Sequence, residues 1–309
     1  MDSFIQIFGP KSLNAQQPIN VDFFYTNRPM KIRFLILFLF TFCWAKAQEI
    51  TLMSYNIRLD VASDGENRWD ARKEKVAQLM LYNNPDFIGA QEVQHHQLSY
   101  LLEQLKPYSS IGVGRDDGKT GGEYSNIFYR TDRFSVVKQS TFWLSPTPDS
   151  VSSGWDAACH RVCTYGLFED KKSKKQFWVF NTHFDHVGTV ARLESAKLVL
   201  KRIQSLNTQN LPVLFCGDFN SSPEDPPVQL IGSVLKDARN LSPVVHGPAD
   251  TWNAFQFHEK PKGCIDHIFV SANQWKVTRF ATLTDSYDLK YPSDHFPVMA
   301  TVVFRLNCK

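Results

Sequence analysis

Cysteine is scarce in this chain of 309 residues, with six in all, and their spacing builds no metal site. Cys159 and Cys163 stand as C-x3-C with no second pair to complete a zinc set. Beyond residue 47 five remain (Cys159, Cys163, Cys216, Cys264 and Cys308), an odd number. Core thiols or a single bridge are expected, and a disulfide scaffold is excluded. Long apolar runs are missing too: Phe34 to Trp44 spans about 11 residues, too short to cross a bilayer as a helix. An excess of one charge is the third absence. The formal net charge of +3 belongs to residues 1–47, which hold five basic residues (Lys11, Arg28, Lys31, Arg33, Lys46) and two acids (Asp2, Asp22). Without them, 29 basic residues face 29 acidic ones. A polynucleotide binder needs surplus cations against phosphate, so this balance counts against nucleic acid as the partner.

What is present begins with an address. Residues 30–47, "MKIRFLILFLFTFCWAKA", place Lys31 and Arg33 before the apolar run and Ala45-Lys46-Ala47 after it, the three-part layout of a secretory signal with cleavage before Gln48. Residues 1–29 read as an upstream start or non-native leader, and residues 48–309 as the folded domain. The expected location is outside the cytoplasm, periplasmic or secreted, with no transmembrane segment in the mature chain. A monomer is expected.

From residue 49 strand-like and helix-like runs alternate without a linker. "EITLMSYNI", "DFIGAQEV", "SNIFYR", "FSVVKQSTFWL", "HRVCTYGLF", "QFWVFNTHF", "LPVLFCGDF", "CIDHIFV", "WKVTRFATL" and "FPVMATVVF" read as strands. "WDARKEKVAQLMLYN", "QLSYLLEQL" and "TVARLESAKLVLKRIQSL" carry helical spacing. "DKKSKK" reads as a charged hairpin tip, and "DDGKTGGE" and "SPTPDSVSSGWD" as long loops. The pattern predicts an α/β fold with two sheets back to back and helices outside.

Polar side chains gather at the strand ends. Asn56 ends "LMSYN", Glu92 ends "FIGAQE" and His183 ends "FWVFNTH". Asp218 and Asn220 end "PVLFCGDFN", Asp266 sits in "CIDHIF", and Asp294-His295 precedes the last strand. Asp218 and Asn220, two apart on a strand, project to one side. Each residue alone has a structural explanation: Asp218 and Asn220 could form a turn with "SSPEDPP", and Glu92 could cap the next helix. Collected at one face of a sheet they form a site, with carboxylate and amide oxygens suited to Mg²⁺ and imidazoles suited to phosphate oxygens and proton transfer.

"SYNIR", "QEV", "NTHFDH", "GDFN", "IDHIF" and "SDHFPV", in this order, resemble the motifs of the endonuclease/exonuclease/phosphatase (deoxyribonuclease I-like) superfamily over nearly all of residues 48–305. The resemblance implies a four-layered α/β sandwich of two mixed β-sheets packed face to face with helices on the outer faces. It also implies a phosphoesterase dependent on Mg²⁺ or Mn²⁺. Position by position, it makes Glu92 the metal carboxylate with Asn56 and Asp294 beside it, and Asp218 the acid that activates or orients water. Asn220 becomes the amide donor to a phosphoryl oxygen, His183 and His295 the phosphate-contacting histidines, and Asp266 the carboxylate that orients His295.

Substrate is less legible. Arg161 could fork onto a second phosphate oxygen, with a surface ion pair as the alternative. Tyr124, Trp155 and Trp252 could stack on a base or sugar, with buried packing as the alternative. His186 belongs beside the site, and Asp185 is expected to fix its loop. The reading that results is an exported Mg²⁺-dependent hydrolase of a phosphodiester or phosphomonoester on a small molecule, lipid or glycan. A secreted nuclease is the alternative, and a non-catalytic phosphate-binding module a third.

Overall fold

The structure is a computed structural model and describes residues 48–305. The expected leader, the signal segment and Cys308 lie outside those residues. Two mixed sheets form the body. The first has seven strands, in the order β10 (Val245–His246), β12 (Trp275–Thr282), β13 (Val298–Phe304), β1 (Glu49–Asn56), β2 (Phe87–Gln91), β4 (Ile127–Arg130) and β3 (Tyr108–Ile111). The second has six, in the order β5 (Phe134–Trp143), β6 (Val162–Asp170), β7 (Gln176–His183), β8 (Val213–Asp218), β11 (Asp266–Val270) and β9 (Lys236–Asp237).

Three apolar clusters define four layers. Ile50, Leu52, Phe87, Phe134, Phe168, Phe177, Leu214 and Trp275 fill the space between the sheets. Outside the first sheet, Met53, Tyr55 and Ile88 pack on Val76, Leu79 and Met80 of α1 (Trp69–Asn83) and Leu101 of α2 (His95–Gln104). Outside the second, Phe180 and Phe215 meet Ala196, Val199 and Ile203 of α3 (Thr189–Leu206) and Val228 and Ile231 of α4 (Pro226–Val234). This is the sandwich that the alternation predicts.

Local chemistry sets the ends. Asn84 closes α1 in the left-handed conformation at φ 45°, where Asn is tolerated. The "DPP" of the predicted turn starts α4 instead, because proline supplies a ready φ at the first helical position. "WDARK" opens α1, as its helical spacing predicts, with Trp69 and Arg72 buried. A short helix, α5 (Ala238–Leu241), is capped by the Asp237 carboxylate.

Two features hold the sheets in register beneath the site. Asn181 of β7 is fully buried and donates across the gap to Ala90 O (2.9 Å) and Asn126 O (2.8 Å), while its Oδ1 accepts from Gln91 Nε2 (2.7 Å). Gly89 of β2 faces Cys216 and Asn181 so closely that a Cβ there would overlap both. Glycine permits that approach.

Candidate active site

Strand register builds the centre. β7 and β8 are parallel with His183 opposite Asp218, and β8 and β11 are antiparallel with Asp266 opposite Asp218. His183, Asp218 and Asp266 therefore stand in one row on one face. The other sheet brings Asn56 and Glu92 from the ends of β1 and β2, and the segment before β13 brings Asp294 and His295. These residues line one cavity of about 460 Å³, except Asn56 and Asp266, which lie just behind its wall.

Asn56 Nδ2 donates to Glu92 Oε1 and to Asp218 Oδ2, both at 2.9 Å, linking the two sheets' carboxylates. Its Oδ1 accepts the Arg58 N–H at 3.0 Å. The Asp218 Oδ1 accepts the Asn220 backbone N–H at 2.9 Å, so the turn chemistry exists and serves the site. Asn220 Nδ2 donates to Phe184 O (3.0 Å), which fixes the amide's orientation, and to His183 Nε2 (3.0 Å). An accepting Nε2 places the His183 proton on Nδ1. Burial pushes the His183 pKa well below the ordinary value, and the charges of Arg161 and Arg115 push it further, so this imidazole is neutral. His295 is the opposite case. Burial disfavours its charge, but Asp266 and Asp218 outweigh burial and hold the pKa well above the ordinary value. Its Nδ1 meets Asp266 Oδ2 at 2.9 Å, and its Nε2 lies 3.8 Å from Asp218 Oδ2.

Asp218 is pushed up to about 7, chiefly by burial and then by the nearby Asp266, against the lowering effect of His295. A carboxylate poised there suits proton abstraction near neutral pH. Burial works on Glu92 as well, but the bonds from Asn56 and Leu59 N–H and the charges of His295 and Arg58 leave it below the usual range. Arg58, Glu92 and Asn220 all adopt left-handed backbone, at φ 60°, 60° and 45°. Non-glycine residues held there cost energy and cluster at functional sites. Glu92 does not cap α2, whose capping box is made by Gln94 and Gln97.

The donors fit a hard divalent cation. Glu92, His183 and Asp218 offer ligand atoms within 4.8 Å of one another, and the buried Asp294 carboxylate lines the same cavity. Burial first, and then the charge of Glu92, hold the Asp294 carboxyl above its usual range. Carboxylates crowded out of water call for positive charge. Arg58 Nη1 supplies some, at 3.8 Å from Glu92 and 3.7 Å from Asp294. No thiolate takes part in this group.

The flanking residues separate. Arg161 and His186 line the cavity, joined by Arg161 Nη2 to His186 Nδ1 at 2.9 Å. Asp185 does fix its loop, accepting from Val187 N (2.9 Å), Gly188 N (2.7 Å) and Ala158 N (3.1 Å). Trp252 stands on the cavity wall with 39% of its surface exposed. Tyr124 is not on that wall: its ring is buried and its hydroxyl donates to Lys119 O at 2.9 Å. Trp155 lines a separate cavity with Lys197, Lys201 and Arg202 of α3. Arg58, Arg115 and Glu123 also line the catalytic cavity and escape sequence reasoning. Arg58 sits inside "SYNIR", where its left-handed backbone leaves no mark, and Arg115 arrives through the folding of a loop that reads as mere turn chemistry.

The profile of the Endonuclease/Exonuclease/phosphatase family matches residues 53–295. The chain belongs to this family. It is thus a metal-dependent phosphoric ester hydrolase, as the family's enzymes are. Among solved structures it resembles an endonuclease/exonuclease/phosphatase family protein from Bacteroides thetaiotaomicron, 40% identical with a TM-score of 0.81, over 84% of this chain and all of that one. A mannosyl-6-phosphatase from the same organism is 41% identical with a TM-score of 0.80, over 82% of this chain and all of that one. Nocturnin from Drosophila melanogaster is 23% identical over 82% of this chain and 46% of its own length, so this chain spans about half of that relative. Among the described residues no helix is long and apolar enough to cross a membrane.

Proposed function

We propose that this family member is an exported, monomeric, Mg²⁺-dependent hydrolase of a phosphoester carried by a small molecule, with a phosphorylated sugar or glycan as the favoured class. The carrying observation is the row His183–Asp218–Asp266 with His295 clamped to Asp266. It sets a buried base beside an imidazolium in a cavity that also holds the metal carboxylate. The likeness to a mannosyl-6-phosphatase supports the sugar, and the exposed Trp252 offers a ring face of the kind on which a sugar packs.

Phosphoester hydrolysis adds water to a phosphorus crowded with negative charge, so positioning and charge stabilisation dominate. Glu92 and Asp294 would hold a divalent cation, with Asn56 bracing Glu92 from behind the wall, and the cation would supply positive charge against the phosphoryl group. Asp218 takes a proton from the attacking water, whose oxygen bonds to phosphorus as the bond to the ester oxygen breaks, and the departing alkoxide takes a proton from solvent. His295, kept cationic by Asp266, binds a second oxygen, and the Asn220 amide donates without a charge of its own. His183, neutral and held by Asn220, stands beside the base with its Nε2 3.4 Å from Asp218 Oδ2.

Chelation should abolish turnover of a phosphoester, and Mg²⁺ or Mn²⁺ should restore it. Glu92→Gln should weaken metal binding, read by calorimetry, without unfolding the domain. Full activity of that variant in chelator would remove Glu92 from its role, and plasmid DNA cleaved faster than small phosphoesters would replace this reading with a nuclease.

A further inference from the structure

Arg161 carries a donor with nowhere to go. The residue is 5% exposed, its Nε lies 3.3 Å from Asp185 Oδ2 and its Nη2 2.9 Å from His186 Nδ1, but Nη1 is buried with no partner. A guanidinium only donates, so His186 Nδ1 accepts and its Nε2 carries the hydrogen. Arg115 reaches the same cavity from the loop between β3 and β4. Its Nη1 is paired with Glu123 at 2.7 Å, and its Nε is buried without a hydrogen-bond partner. Both guanidinium groups line the same cavity as Glu92, His183, Asp218 and His295. The ion pair to Asp185 leaves Arg161 Nη1 unmet inside the cavity wall, and an unmet buried donor costs free energy that an anion in the cavity would recover.

We infer that Arg161, with Arg115 and His186 Nε2–H, forms the seat for the second negative charge of a phosphomonoester dianion, so that this cavity selects terminal phosphates over diesters. The inference rests on the phosphoesterase reading above and narrows its substrate. A monoester presents three unsubstituted oxygens and a charge near −2, which leaves one oxygen for the metal side, one for His295 and Asn220, and one for Arg161. In a diester one of those oxygens carries a substituent and the charge falls to −1, so the same guanidinium meets an ester group that accepts weakly. A planar guanidinium can hold Asp185 and His186 and still donate from Nη1, which the single ammonium of lysine cannot do.

The test compares p-nitrophenyl phosphate with bis-p-nitrophenyl phosphate on one Mg²⁺-loaded preparation, for the wild type, Arg161→Ala, Arg161→Lys and Arg115→Ala. Binding of inorganic phosphate and of dimethyl phosphate is followed by calorimetry. The wild type should prefer the monoester. Arg161→Ala should lower monoester kcat/KM by about 10²–10³-fold and diester kcat/KM by less than about tenfold, and it should weaken inorganic phosphate while leaving dimethyl phosphate nearly unchanged. Arg161→Lys keeps a charge beside Asp185 and guards against misfolding of the alanine variant; it should still lose monoester selectivity, and Arg115→Ala should lose part of it. A wild type that prefers the diester, or variants that lose both substrates in equal proportion, would overturn the inference while leaving the hydrolase intact. A wild type that hydrolyses neither substrate would sink the hydrolase reading instead; in that case phosphate binding decides alone, and a phosphate affinity unchanged in Arg161→Ala would overturn this inference as well.

Discussion

Asp266 Oδ2 lies 2.9 Å from His295 Nδ1, a buried contact between the first residue of β11 and the turn before β13. The carboxylate fixes which nitrogen of the ring faces the cavity and sustains its charge. If the two act as one unit, Asp266→Asn and His295→Ala should each lower kcat strongly, and the double variant should lose little more than His295→Ala alone. A double-mutant cycle on steady-state rates checks this, and additive losses would place Asp266 in a separate role.

A second buried pair is structural. His267 Nδ1 meets Asp237 Oδ2 at 3.0 Å and its Nε2 meets Ser221 O at 3.1 Å. Both partners accept, so the ring needs both protons. Burial opposes that charge, but the Asp237 bond outweighs it and the His267 pKa rises. A raised folded pKa stabilises the fold fully below the unfolded value near 6.5, and the gain fades as pH climbs through the folded value. Asp237→Asn keeps the α5 cap and removes the charge. Thermal melts should show it clearly less stable than wild type at about pH 5.5, with the gap closing towards pH 9. A gap that does not change with pH would contradict a charged His267.

The site's backbone depends on a residue of α1. Arg72 is buried and donates to the carbonyls of Ile57, Arg58, Leu59, Asn67 and Pro292, which tie the segment after β1 to the one carrying Asp294. Arg72→Met fills the space but leaves those carbonyls unmet. The domain should lose on the order of 3 kcal/mol or more, and Tm should drop by roughly 6–12 °C. A melt within 2 °C of wild type, on this same scale, would show that water replaces the guanidinium.

Much of this was legible in one sequence. Strand runs ending in Asn56, Glu92, His183 and Asp218 point to a shared face because the apolar runs are buried and the polar side chains can only escape at their ends. What was not legible depends on distant partners. Nothing near Arg115 says that its loop turns back into the cavity, nothing near Tyr124 says that its hydroxyl caps Lys119 O, and His267 next to Asp266 reads as the same motif although its ring faces Asp237. The left-handed backbone of Glu92 and Arg58 is equally silent, since neither residue type favours it.

Export is tested by mass. Cleavage after Ala47 should leave Gln48 as the first residue of exported protein, or its cyclised form, in N-terminal mass spectrometry. Exported material that retains residues 30–46 would contradict it.

The central claim is that Asp218 is the base of a metal-dependent phosphoester hydrolase, and Asp218→Asn tests it most directly, since the amide keeps the shape and cannot take the proton. Measured on a phosphomonoester with saturating Mg²⁺, kcat should fall by about 10²–10⁴-fold while KM changes by no more than a few-fold. A folded, metal-loaded Asp218→Asn with kcat within about tenfold of wild type would contradict the account.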